Sequence, residues 1–125
     1  MRTMQTGNLM NEYHSLKIIK DNRLVEVNQG IFTGRKKSDL TEKENLLRKN
    51  ADKQCGLENY QSVFSRTKNF YDEIIKQCNF DNILIITHNV NASMLDCLLN
   101  GIEVDINNRN HTHRFDNAEI KHYVI

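Results

Sequence analysis

His88 follows directly on the apolar run Ile83-Leu84-Ile85-Ile86 and Thr87. Open parallel sheets present their ligand crevice at strand ends of this kind, so a histidine there can donate hydrogen bonds to a phosphoryl oxygen and supply partial positive charge as a transition state develops. The plainer alternative is a histidine that caps a strand end. Arg2 offers planar donors that match two phosphate oxygens and a charge that does not titrate away, although taken alone it is a surface arginine. Glu58 precedes a long helical pattern and can protonate a leaving oxygen if burial raises its pKa. It equally suits a helix start, where the dipole favours a carboxylate. Arg66, eight residues further on and inside the helix, reads as an ion-pair partner.

Other candidates carry less. His111 and His113 form an HxH pair whose rings would share one face of a strand, as a metal site requires, but no third ligand lies nearby and a solvated strand fits as well. Gly30-Ile31-Phe32-Thr33-Gly34 lacks the Lys-Ser/Thr and the strand-to-helix setting of a phosphate loop. Lys36-Lys37 is a small, solvent-facing basic patch. No metal or cofactor is expected.

These residues need elements to hold them. Thr3 to Ser15 carries apolar positions at Met4, Leu9, Met10 and Tyr13, an irregular helical pattern. Leu16–Ile19 and Leu24–Val27, separated by Asp21-Asn22, read as strand, turn and extended segment. Thr41-Glu42-Lys43-Glu44 has capping-box spacing and starts a helix that should end near Asn50. From Asn59, itself a suitable N-cap, Val63, Phe64, Thr67, Phe70, Tyr71, Ile74, Ile75 and Cys78 recur at helical spacing. Asn82 to Thr87 is rich in β-branched residues and reads as a central parallel strand covered on both faces. Met94, Leu95, Leu98 and Leu99 form the stripe of a following helix that Gly101 can end. His111–Phe115 and Glu119–Ile125 flank a turn at Asp116-Asn117, so the chain should finish in extended segments.

A length of 125 residues with 38% hydrophobic composition suits one domain with a modest core. The formal charge of +1 gives no field for gripping nucleic acid or an anionic membrane, so any anion must be held locally. No segment is long and apolar enough to span a bilayer and no signal region follows Met1, so a cytoplasmic location is expected. Cys55, Cys78 and Cys97 are odd in number and lack CxxC spacing, which reads as reduced thiols.

Taken in order, these segments resemble the histidine phosphatase (phosphoglycerate-mutase-like) superfamily. Arg2-Thr3-Met4-Gln5-Thr6-Gly7 is similar to its Arg-Ala-x-Gln-Thr-Ala, and Leu24-Val25-Glu26 with Gly30 to Gly34 is similar to its Leu-x-Glu and Gly-x-Trp-x-Gly. Gly56-Leu57-Glu58-Asn59 with Arg66 resembles its Gly-Glu-Ser and following arginine. Ile83 to His88 looks like the strand ending in Ser-His-Gly, and Asn117-Ala118-Glu119-Ile120 matches Asn-Ala-x-Ile. The family's Arg-His-Gly, whose histidine is the nucleophile, does not occur in the sequence. Asn89, Asn59 and Gly7 replace a glycine, a serine and an alanine of the family pattern.

The resemblance implies an α/β, three-layer fold with a mostly parallel sheet, its first central strand missing, so that residues 1–125 form an incomplete domain and Met1 an internal start. In complete form it implies a phosphomonoesterase or mutase acting on a small phosphorylated metabolite through a phosphohistidine. Arg2 and His88 would hold the equatorial oxygens and Glu58 would protonate the leaving oxygen, with no metal. The chain alone is then expected to be inactive, and an exposed sheet edge would favour self-association. The alternative is a non-catalytic remnant that binds phosphate or mediates association. A nucleotide-binding module rests on the α/β pattern alone.

Overall fold

The computed structural model describes residues 2–50, 53–106 and 114–124, and its regular elements among them are helical. Helix α1 spans Arg2–Met10, α2 Glu42–Lys49, α3 Tyr60–Phe70 and α4 Asn89–Leu99. The start of α2 is fixed by the expected capping box: Thr41 Oγ1 accepts the Glu44 amide at 3.3 Å and a Glu44 carboxylate oxygen accepts the Thr41 amide at 2.9 Å. Asn59 caps α3 by accepting the Ser62 amide at 2.7 Å.

Helix α3 buries Val63, Thr67 and Phe70, then widens into a π turn over Tyr71–Ile75 in which the Lys76 amide donates to the Tyr71 carbonyl at 3.0 Å. The wider turn carries Ile75 into the core at 6% exposure and leaves Ile74 outside at 38%. Helix α4 buries Met94, Leu95 and Cys97 together with the polar Asn91, Ser93 and Asp96. It stops at Gly101, whose φ of +67° lets the Ile102 amide return to the Cys97 carbonyl at 2.8 Å.

The core lies where α3 meets α4 and the 3-10 turn Asn22–Leu24. Val27, Val63 and Met94 form one buried cluster, and Phe70, Ile75 and Leu95 form the other. Asn91, buried in α4, donates to Thr67 Oγ1 of α3 at 3.1 Å, a polar tie across the two helices, while its Oδ1 is buried without a hydrogen-bond partner.

Three extended expectations need correction. Residues 83–87 belong to no strand: among the described residues no ladder forms, and Ile83 and Leu84 stand 39% and 63% exposed. A strand exists only through a hydrogen-bonded neighbour, and this segment is tied to its neighbour by a side chain, Thr87 Oγ1 donating to the Leu24 carbonyl at 2.9 Å. Leu16–Ile19 likewise forms no ladder among the described residues: the Leu16 backbone is bonded to the Asn11 side chain, and Leu16 and Ile19 are 66% and 74% exposed. Leu24–Val27 does not begin as an extended run, because Asp21 accepts the Arg23 amide at 2.8 Å and winds Asn22–Leu24 into a turn. The backbone pairing that does occur is an isolated antiparallel bridge, Gln29 with Leu57. At the C-terminal end the turn falls at Asn117-Ala118, and residues 119–124 are neither helix nor strand.

Candidate functional site

The segment 23–30 is the scaffold on which the candidate residues converge. Its path is fixed by Arg66 Nη1, which donates to the Arg23 carbonyl at 2.5 Å, by Asn91, which reaches the same carbonyl at 3.3 Å, and by Thr87 on the Leu24 carbonyl. Val27 is buried between α3 and α4, which leaves Glu26 and Asn28 on the outside, one toward His88 and the other toward Glu58.

Glu58 is held from two sides. Its amide donates to the Asn28 carbonyl at 3.0 Å and its Oε2 accepts the Asn28 amide at 3.1 Å. Arg66 Nε and Nη2 donate to Oε1 and Oε2 at 2.8 and 3.1 Å, a bidentate pair in which both side chains are 17% exposed. Burial pushes the Glu58 carboxyl up, but the hydrogen bonds and charge of Arg66, with the Asn28 amide and Ser62, together hold it below the ordinary glutamate range. The expected raised pKa is therefore not what this environment gives. Gly30 makes the close approach possible: at φ +53°, a Cβ here would lie 1.9 Å from the Cys55 carbonyl oxygen.

His88 stands immediately before α4 in extended conformation, φ −105° and ψ 159°, and gives its helix no side-chain cap. The first-turn amides are thus not filled by the His88 ring, and a helix start of this kind attracts anions. The ring is 18% exposed, and its Nδ1 lies 3.4 Å from a Glu26 carboxylate oxygen, with Glu26 46% exposed. This contact lies on the Nδ1 side of the ring. Asn89 donates to the Phe115 carbonyl at 2.7 Å, and Ser93 Oγ donates to the Asn89 carbonyl at 2.9 Å.

Arg2 opens α1 and is exposed. Its helix rests on the segment leading to His88, because an atom placed as Cβ on the buried Gly7 would lie 3.5 Å from Ile86 Cδ1. Of the residues singled out in the sequence, the structure therefore pairs Glu58 with Arg66, sets α1 against residue 86, and gives His88 a carboxylate partner to which the sequence assigned no role, Glu26. The signal for Glu26 was its place in Leu24-Val25-Glu26. His111 and His113 lie outside the described residues, and among the described residues no three of His, Cys, Asp and Glu are grouped as a metal would need. No described helix is long and apolar enough to cross a membrane.

Comparison with known proteins places the chain in a family. The chain is 27% identical over 110 residues to phosphoserine phosphatase 1 of Hydrogenobacter thermophilus, a match covering 82% of this chain and 52% of that protein. The chain thus spans about half the length of the curated relative it matches. No solved structure matches it. Residues 1–125 match the histidine phosphatase superfamily (branch 1) throughout, and the chain belongs to this α/β superfamily.

Proposed function

We propose that the chain carries the phosphoryl-holding side of a histidine-phosphatase site for a small phosphate monoester. The observation that supports it is His88: half-buried, beside Glu26, at the uncapped start of α4, in a chain of this family. Nε2 of His88 and the guanidinium of Arg2 supply donors to the non-bridging oxygens, adding charge where it develops in the transition state. The name of the relative, a phosphoserine phosphatase, makes phosphoserine the first substrate to try.

A carboxyl beside the leaving oxygen must donate a proton. Glu26 suits this better than Glu58, because Arg66 binds both Glu58 oxygens whereas Glu26 is open to solvent beside His88. Glu58 then serves by fixing the 26–28 segment through Asn28. The attacking group is the remaining requirement. The 125 residues contain no Arg-His-Gly, so a phosphohistidine route draws its nucleophile from a strand outside them, which would also pair with residues 83–87 in a mostly parallel sheet. Without that strand, the half-exposed Ile83 and Leu84 favour self-association. A cytoplasmic setting and no metal complete the reading.

The missing motif also supports a second reading, a non-catalytic phosphate-binding or association module. Assay of the purified chain with p-nitrophenyl phosphate and phosphoserine separates the two: turnover restored by supplying the upstream segment marks the enzyme, and phosphate binding without it marks the module. For the site itself, phosphate or vanadate titration should show His88→Ala binding ten- to a hundredfold more weakly, the roughly 1.5–3 kcal/mol of one charge-assisted contact. Equal affinity would place the anion elsewhere.

A further inference from the structure

The face of α4 turned to the C-terminal segment holds a buried carboxylate that the phosphoryl site does not use. Asp96 is 4% exposed, and its Oδ1 accepts Lys121 Nζ at 2.5 Å, the Tyr123 hydroxyl at 2.5 Å and Asn100 Nδ2 at 3.0 Å. A carboxylate removed from water is tolerated only with such partners, so residues 121–123 are clamped to the helix. About two helical turns earlier, Asn89 donates to the Phe115 carbonyl at 2.7 Å. Between these two anchors the segment turns at Asn117-Ala118, where Ala118 adopts φ +59° and the Asp116 amide donates to a Glu119 carboxylate oxygen at 2.7 Å. Residues 115–123 are therefore fixed at both ends to one helix, and their first anchor is the residue next to His88.

We propose that Asn89 is a positioning residue for His88: its side-chain amide ties the first turn of α4 to a C-terminal segment that Asp96 clamps in place. The proposal rests on the reading of His88 as a phosphate ligand. The side chain at position 89 has to donate outward to a carbonyl, and its Oδ1 lies 3.3 Å from Ser93 Oγ on its own helix. Glycine or alanine can do neither. With the tie cut, Thr87 on the Leu24 carbonyl and Asn91 on the Arg23 carbonyl still hold either side of the helix start to segment 23–28, so the change falls between them, on the 3.4 Å contact between His88 and Glu26.

The experiment uses the 125-residue chain with its histidine rings labelled for NMR. Asn89→Ala should displace the His88 ring resonances, shrink the response of those resonances to Glu26→Gln, and weaken inorganic phosphate by roughly three- to tenfold, the range of one neutral hydrogen bond. Asn89→Gln, which keeps a donor on a longer arm, should recover part of each change. If Asn89→Ala does not fold, Lys121→Met loosens the segment from its solvent side and should displace the His88 ring resonances alone. His88 resonances and their Glu26 dependence unaltered in Asn89→Ala, or unaltered in Lys121→Met where the first variant is unfolded, overturn the proposal. A wild-type chain that binds no phosphate, with His88 resonances that still move in Asn89→Ala, removes the phosphoryl reading and leaves the positioning role supported.

Discussion

Replacing Arg66 by methionine keeps an unbranched apolar stem and removes both bonds to Glu58, at 2.8 and 3.1 Å, as well as the donor to the Arg23 carbonyl. Removing one partner of a fully buried pair costs about 3–5 kcal/mol, because the other charge is stranded. Here Glu58 retains 17% exposure and the Asn28 amide, and the Arg23 carbonyl retains Asn91, which brings the expected loss to about 2–3 kcal/mol, against the roughly 5–15 kcal/mol typical of a whole domain. Urea unfolding followed by far-UV circular dichroism at pH 7 measures it directly. The pH dependence has a definite sign. Glu58 titrates below its ordinary value of about 4.3 in the native chain, so the unfolded chain binds more protons there. Its stabilisation is complete above that value and is lost as the pH falls through the native pKa. The gap between wild type and Arg66→Met should therefore narrow from pH 7 to the acid side, and Glu58→Gln combined with Arg66→Met should cost less than the sum of the two single changes. A loss at pH 7 below about 0.5 kcal/mol, the range of an exposed pair, would show that this ion pair does not hold the 26–28 segment.

Two glycine replacements should move stability in opposite directions. Gly30→Ala forces a Cβ to within 1.9 Å of the Cys55 carbonyl oxygen at positive φ and should cost about 3–5 kcal/mol in chemical denaturation. Gly7→Ala adds a Cβ at ordinary contact distance, 3.5 Å from Ile86 and 3.9 Å from Ile18, inside a helix, and should gain about 0.5–1 kcal/mol. Burial and the Asp96 carboxylate raise the Tyr123 hydroxyl well above the ordinary tyrosine value of about 10, so absorbance titration at 295 nm should show a late alkaline component that Tyr123→Phe abolishes. The linked stability is complete below the ordinary value and should be lost as the pH rises beyond it.

What the sequence showed about the fold follows from how local each signal is. The capping box at Thr41 and Glu44, the Asn59 cap and the Gly101 stop each depend on a few neighbouring residues, and all three are where the spacing placed them. The run 82–87 depends on a partner strand, and no local pattern can state whether one is present; its β-branched composition is equally compatible with the unpaired segment observed. The site divides along the same line. The Arg66 ion pair was legible from its place within α3. Glu26 was not, because its contact with His88 crosses 62 residues and depends on Val27 being drawn between two helices. Asp96 was missed for a related reason: an aspartate inside a helical stripe reads as solvent-facing unless the lysine and tyrosine that meet it are known to return from 25 and 27 residues away.

The π turn after α3 has a consequence for comparing this chain with its relatives. Phe70 and Ile75 enter the same cluster five positions apart, whereas a uniform α-helix returns to the same face after three or four. A homologue whose helix continued without the wider turn would present the equivalent of Ile75 one position earlier. An alignment across residues 70–76 therefore needs a one-residue gap to keep core positions in register, and without it Ile74, which stands 38% exposed here, would be matched to a relative's buried residue. Deleting one residue between Tyr71 and Ile74 is the change that would convert this chain to the shorter form, with Ile75 still directed at Leu95.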